Sequence, residues 1–595
     1  MAKPVETLTR LLRKVFPPRA ETSAVGMTIV LSALVGIGAG LMALLIDWAI
    51  SSMNVRFFRL LGPMGGHAGG GRYLLLALVP AVVFLGVAAM LRRWAPEAMG
   101  TGIDQVMDAV GRQGGYIRAR VLALKALATS LCIGVGAPLG MEGPVVQTGA
   151  AVGSLLGRRS RMGVPNIRIL VAAGAAAGLA AKYGAPIGGA VFSAELILGS
   201  ASTSALLPLI VASFLAVLTR ITVRGPVPEY EIHGLFSFGW QDYVMFLMLG
   251  VVCGLVSVYF IRIIFATEDG MNRLLPQWWA RAVFGGLIIG LAGALLPQTL
   301  GTGRGVVQTI LREPEFGLRL LVLFVCLKPL LCSVALASGT SGGIFAPSLF
   351  TGAAAGALFA GAAGHVGWLD LAPETAYVMA GMAGVMAGVM RAPLQAILVT
   401  FELAQSYSMI PPLMITCVIA LKVSELFEPE SAFTLRLVRL GRRMRRGMDF
   451  SLLEGLSVSD VMDCEFLALP AAARISEIGQ TVQVSENRTF PVADEQDRLA
   501  GIVMLASLIS VVVRRRGRSD EPHVRDLLEP DNVYLSPDDS LASAWETMSN
   551  YDYDCLPVCE EGDDGPRIVG ICEKEAIVEL HDRETFIRLE QERPE

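Results

Sequence analysis

The chain has 595 residues, 53% of them hydrophobic, with 64 glycines, a charged fraction of only 17% and a mean hydropathy of +0.56. An ordinary soluble domain carries more charge and fewer glycines, so the composition points to a polytopic membrane protein. The formal charge is −4, from 49 Lys+Arg against 53 Asp+Glu, which implies no nucleic-acid partner, and nine scattered cysteines without a CxxC pair suggest neither a disulfide frame nor a metal site.

The basic, amphipathic residues 1–24 are predicted to be a cytoplasmic segment, because the apolar run that begins near Val25 is too long for a signal-peptide core. Apolar segments follow around 25–50, 72–92, 119–137, 145–157, 166–182, 186–199, 203–222, 243–265, 281–298, 317–337, 347–363, 376–390, 393–404 and 410–426. Several fall short of the roughly 20 residues that a perpendicular span needs. Gly and Pro interrupt them, so these helices must line protein or a water-filled path. A membrane domain over 25–440 is expected, built as a polytopic α-helical bundle.

An internal repeat organises that domain, over about 72–222 and 281–426. The stretch "AAGAAAGLAAKYGAPIGGAVFSAEL" (172–196) matches "MAGMAGVMAGVMRAPLQAILVTFEL" (379–403), and one spacing of 207 positions separates Gly174 from Gly381, Ala185 from Ala392 and Glu195 from Glu402. Two further pairs keep the same order: "MGTGIDQVM" (99–107) with "LGTGRGVVQ" (300–308), and "GMEGPVVQTGAAVGSLLG" (140–157) with "GIFAPSLFTGAAAGALFA" (343–360). Broken apolar segments at corresponding places in two halves point to a transport site near the bilayer midplane.

The chemistry of that site follows from the turns. Pro144 and Pro347 stand in the first turn of apolar helices that follow Gly-rich turns, where a missing N–H costs nothing. Free amides and the positive end of a helix dipole therefore face a polar cavity, an arrangement that binds anions. Thr101 adds a hydroxyl donor. No cluster of carboxylates converges there, as a cation site would need. Glu142 is the exception, and an ionisable group at membrane depth costs about 2.5–3.5 kcal/mol. It reads as a tethered anion that occupies the site when ionised and leaves it when protonated or displaced.

"GTGID", "GMEGP", "GGIFAP" and the Ala-Pro/Glu repeats resemble the CLC family of chloride channels and proton-coupled chloride exchangers, whose motifs run GSGIP, G(R/K)EGP and GxFxP. The resemblance covers about residues 25–440. It implies two antiparallel halves, a homodimer with one anion pathway per subunit, and chloride or a similar small anion as cargo. It makes Thr101 the counterpart of the anion-coordinating serine, Glu142 the external gate, and the amides of Ile344 and Phe345 the holders of the central anion. The turn residues Gly102, Ile103, Gly140, Met141, Gly143, Gly343 and Ala346 complete the expected anion site.

Departures from the family pattern bear on mechanism. The internal glutamate that relays protons in family exchangers is replaced by Leu196, which favours a gated passive channel; the alternative is a chloride/proton antiporter using another internal acid. Glu195 and Glu402 are repeat-related, which favours structural roles for both. Phe433 stands where the family's SIYxL segment has its anion-binding tyrosine, a loss of about 1 kcal/mol of anion binding. Met141 replaces a basic residue beside the gate. Asp104 replaces the proline of GSGIP and either caps its helix or tunes anion entry. Lys125 and Lys328, alone in apolar runs, either compensate charge near the pathway or snorkel to the interface.

A basic linker (441–455), with the positive flank expected on the cytoplasmic side of a last span, leads to two aligned strand–helix copies at 456–512 and 524–580, joined by an Arg-rich linker (513–523) and followed by a tail (581–595). They resemble a tandem α/β CBS pair. Many such pairs bind an adenine nucleotide, but the usual ribose-contacting places read Met504 and Ser507, then Cys572 and Glu575. The pair therefore reads as a dimerising, gating-linked module, and no cofactor is expected. The histidines (His67, His233, His365, His523, His581) offer no HExxH, so an intramembrane metalloprotease is excluded. No catalytic residues are expected. The predicted setting is the inner membrane, with both termini cytoplasmic.

Overall fold

The computed structural model describes residues 20–61, 70–199, 203–232, 236–312, 316–364, 372–440 and, with short gaps, 453–580. The expected N-terminal segment (as far as residue 19), the basic stretch 441–452, the Arg-rich linker 513–521 and the tail 581–595 lie outside the described residues. The chain divides into two compact units, Met1–Met444 and Arg445–Glu595.

In the first unit every predicted apolar segment lies in a helix. Eight helices among the described residues are long and apolar enough to cross a membrane, while Pro186–Leu198, Glu374–Met390 and Pro393–Ala404 are apolar but shorter. Short amphipathic helices that hydropathy does not reveal follow the two GTG turns, Ile103–Arg112 and Arg304–Arg312, and a third, Ala432–Arg439, ends the unit. The repeat is therefore structural. Helices Ile103–Arg112, Arg120–Gly134, Glu142–Arg159, Val164–Tyr183 and Thr203–Arg224 reappear in order as Arg304–Arg312, Leu318–Ala337, Phe345–Gly364, Glu374–Met390 and Ile410–Phe427.

Local chemistry sets the breaks. Helix Val164–Tyr183 ends on Gly184 in the left-handed region (φ 69°), and Ala185 has left the helical region (φ −114°, ψ 82°) before Pro186, in keeping with the bias of a residue preceding proline away from helix. The second half repeats this with Arg391 left-handed and Ala392 outside the helical region (φ −133°, ψ 74°) before Pro393. Small residues then set the helix spacing. A Cβ on Gly149 would strike the Gly174 carbonyl, and one on Gly352 the Gly381 carbonyl, so each half packs its helix pair backbone to backbone.

The halves meet at the turns. Gly140 and Gly343 exchange both backbone hydrogen bonds (2.8 and 2.6 Å), Gly100 N donates to Thr340 O (2.9 Å), and Gly342 N donates to Gly100 O (3.2 Å). The irregular backbone is thereby satisfied by protein where lipid would leave it unpaired.

The second unit contains two copies of one motif. Leu469 pairs in parallel with Val492, and Leu535 with Val558, each member of the second pair 66 positions after its counterpart. Antiparallel hairpins follow, β2 (Thr489–Ala493) with β3 (Leu499–Met504) and β4 (Cys555–Gly562) with β5 (Gly565–Glu573). The copies interlock, since Ile502 of the first lies in the apolar core formed by Leu541, Leu556 and Val558 of the second. Hairpin register corrects one sequence alignment. Met504 pairs with Thr489 and Glu573 with Cys555, so the counterpart of Met504 is Glu573 rather than Cys572. The second hairpin is longer, which shifts the alignment by one.

Candidate functional site

Glu142 opens helix Glu142–Arg159 and is 1% exposed. Its Oε1 accepts from the Tyr183 hydroxyl (2.8 Å) and its Oε2 from the backbone N–H of Ala346 (3.3 Å). By helical geometry the amides of the first turn of Phe345–Gly364 have no acceptor within that helix, and the carboxylate lies over this positive end. Gly140 makes the fold-in sterically possible, because a Cβ there would overlap Glu142 Oε2. Ile344, Phe345 and Met141 are buried around the same seam, with the Phe345 and Tyr183 rings 5.3 Å apart.

Thr101 is brought to this seam, since a Cβ on Gly143 would strike the Thr101 carbonyl and Gly102 adopts φ 95° to begin helix Ile103–Arg112. Its hydroxyl, expected to face the anion, instead donates to Asp104 Oδ1. The physical reason is local: an acid three residues on folds back to the nearest donor, which proline in that place could not. Asp104 Oδ2 lies 3.3 Å from Arg436 Nε. The partners of the carboxylate are thus side chains rather than amides of the helix it opens, so the capping alternative is not what the structure adopts. Arg436 sits on Ala432–Arg439, beside the fully buried Phe433, whose ring supplies no donor.

Neither lysine snorkels. Lys125 and Lys328 are 0% exposed; Lys125 Nζ donates to the carbonyls of Ala98 (3.1 Å) and Gly100 (2.9 Å), and Lys328 Nζ to those of Thr299 (2.8 Å) and Gly301 (2.7 Å). Both staple the turn before a short helix, at equivalent places in the repeat. Lys328 also lies 4.8 Å from the Phe350 ring centroid. Glu195 accepts from the amides of Leu394 (3.2 Å) and Gln395 (2.9 Å), and Glu402 from those of Ile187 (3.1 Å) and Gly188 (2.7 Å). Leu196 is buried in the wide turn Ser193–Leu198.

Sequence reading missed Tyr183 and a cluster beside it. Buried Glu229 faces Lys182 (2.8 Å), Arg304 (3.3 Å) and Arg220 (3.9 Å). A cavity of about 270 Å³ next to this cluster is lined by Tyr183, Arg220, Glu229 and Glu402. Lys182, Arg220 and Arg304 thus gather around Glu229 near the gate, where Met141 supplies no charge. The signal was present in the repeat, where Lys182–Tyr183 stand opposite Val389–Met390 at the 207-residue spacing.

A carboxylate is thus held at a helix N-terminus between two repeated halves. The family described as "Voltage gated chloride channel" matches residues 81–425. The chain belongs to this family. A CBS domain matches residues 524–581, so the CLC membrane unit carries a C-terminal CBS region. A ClcB-like chloride channel protein of Ralstonia nicotianae is 36% identical over 337 residues, covering 55% of this chain and 76% of the relative. The voltage-gated ClC-type chloride channel ClcB of Citrobacter koseri is 30% identical over 363 residues, covering 60% and 85%. Among solved structures, a slow cyanobacterial Cl−/H+ antiporter is 28% identical with a TM-score of 0.64, covering 69% of this chain and 97% of its own. A eukaryotic CLC transporter, at 20% identity and a TM-score of 0.66, covers 96% of this chain and 98% of its own and shares the fold. The CLC membership makes chloride transport the coarse function.

Proposed function

We propose that this CLC protein is a gated, passive chloride channel in which Glu142 is the gate. The observation that carries the gate is the Glu142 carboxylate lying between the Tyr183 hydroxyl and the Ala346 amide, a place a free anion would take. Passive conduction rests on Leu196, an apolar side chain where family exchangers carry a proton-relaying glutamate; neighbouring Glu195 holds backbone amides of the other half. Thr101, Gly102, Ile103, Gly140, Met141, Gly143, Gly343, Ile344, Phe345 and Ala346 frame the path, and Phe433 leaves its inner end one donor short. Weak holding suits a conductor that must release its ion.

In this reading the working unit is a homodimer in the inner membrane with cytoplasmic termini, chloride is the cargo, and the CBS region modulates gating without a nucleotide. A second reading, chloride/proton antiport through another internal acid, is supported by the 28%-identical relative described as a Cl−/H+ antiporter. The reversal potential of the reconstituted full chain under a fixed chloride gradient, with and without an opposing proton gradient, separates them. A value at the chloride equilibrium potential that ignores pH supports the channel; a shift with the proton gradient supports the antiporter.

A further inference from the structure

We infer that Asp104 is a second tethered carboxylate, which closes the pathway at the Thr101 turn by holding the two donors a small monovalent anion would use there, the Thr101 hydroxyl and the Arg436 guanidinium. The inference rests on the anion-transport reading above.

The argument begins with cost. Asp104 is 2% exposed, and a buried carboxylate is tolerated only when its oxygens are matched to donors. Its two oxygens go to different partners, Oδ1 to the Thr101 hydroxyl and Oδ2 to Arg436 Nε at 3.3 Å. A hydroxyl and a guanidinium are the donors a halide accepts in place of water. The arrangement parallels Glu142, whose oxygens are likewise divided between a hydroxyl and a second donor.

The site is also reachable. Arg436 keeps 26% of its side chain exposed, packs over Gly100 and, with Asp104, Gln105 and Gln147, lines a cavity of about 640 Å³. Glu97, Asp108 and Arg118 line the same cavity, so the Arg436 guanidinium is one of two cations that an anion entering it can meet, and the one that Asp104 holds. Turning the Asp104 side chain into the cavity frees both donors without moving backbone, so the acid competes with the anion rather than sealing the path for good. A permanently placed negative charge would repel the cargo; a displaceable one sets the concentration at which the cargo enters.

The rival role is a brace that fixes the Thr101 turn to helix Ala432–Arg439. The two roles differ in sign. Chloride efflux from vesicles containing the full-length protein is measured against chloride concentration for the native chain, Asp104→Asn, Asp104→Ala, each of these with Arg436→Gln added, and Glu142→Gln as reference. The tethered-carboxylate role requires half-saturating chloride to fall roughly tenfold in both Asp104 variants, the scale of one hydrogen bond to a charged group, and the gain to vanish when Arg436→Gln is added. Unchanged or slower efflux with unaltered half-saturation in both Asp104 variants, while the native chain moves chloride, overturns this inference alone and leaves the transport reading standing. Absence of chloride movement in the native chain overturns the transport reading and this inference with it.

Discussion

Glu195 and Glu402 each hold the helix end that belongs to the other's half. Glu195 accepts from the amides of Leu394 and Gln395, and Glu402, 207 positions later, accepts from those of Ile187 and Gly188. The exchange satisfies the exposed first amides of the two Pro-initiated helices and ties the halves together by two equivalent, charge-assisted clasps. A helix N-terminus closed by a carboxylate also gains from the dipole.

Glu195→Gln and Glu402→Gln are each expected to lower stability by about 1–2 kcal/mol, as loss of a charged N-terminal cap does. Thermal melting of the detergent-solubilised protein measures this. Chloride selectivity should be unchanged in both, since both carboxylates are engaged by backbone amides of the opposite half; altered selectivity would place one of them in the pathway.

Glu142→Gln should leave chloride flux intact and remove most of its pH or voltage dependence. In the native chain, protonation at falling pH discharges the tether, so flux rises as pH drops; the Gln variant carries no charge to lose. Flux recorded from pH 4 to 8 in vesicles, both numbers being on the order of the ordinary carboxylate and neutral ranges, checks the sign, and unchanged gating in the variant would remove Glu142 from the gate.

Tyr183→Phe deletes one donor to the tether while keeping the ring against Phe345. Loss of about 1 kcal/mol in the closed position corresponds to about a fivefold rise in open occupancy. Single-channel open probability, or initial efflux rate at fixed chloride, reports it, and the effect should disappear in the Glu142→Gln background.

Lys125→Met and Lys328→Met remove equivalent staples and are each expected to destabilise the protein by about 1–3 kcal/mol, because each takes a charged donor from two buried carbonyls, although Gly100 O keeps the Gly342 amide. Their effects on transport should differ. Gly100, held by Lys125, precedes Thr101, whereas Gly301, held by Lys328, belongs to the turn "GTGRG" outside the Glu142 seam. Half-saturating chloride should therefore shift in Lys125→Met and stay constant in Lys328→Met.

In the C-terminal unit, burial pushes the thiols of Cys559 and Cys572 up to about 12 and that of Cys555 higher still, while Cys464 is exposed. Only a thiolate is an effective nucleophile, and at pH 8 the buried thiols are ionised to roughly one part in 10,000. A charged, membrane-impermeant alkylating reagent should label Cys464 and none of the three buried thiols of this unit in the folded protein, as peptide mass mapping measures; Cys326, also exposed, lies in the membrane-spanning helix Leu318–Ala337 and is scored separately. Labels at Cys555, Cys559 or Cys572 before denaturation would show the hairpins opening.

The membrane class, the two repeated halves, the proline-initiated helices and the special position of Glu142 are legible in the order of residues alone. Each of these is written in hydropathy, in glycine and proline spacing, or in the oddity of one carboxylate in an apolar run, all of which act over a few residues or repeat at one fixed interval. Even the reciprocal roles of Glu195 and Glu402 were foreshadowed by their common spacing. Who pairs with whom emerges from the folded chain. Tyr183 reaches Glu142 across 41 positions and Arg436 reaches Asp104 from the far end of the unit. The Thr101 hydroxyl turns to Asp104, and two lysines that hydropathy leaves ambiguous become staples for specific carbonyls. These choices depend on which donors the interlocked halves bring within about 3 Å of a buried acceptor, and in a medium without water each buried polar group must take the partner the fold provides.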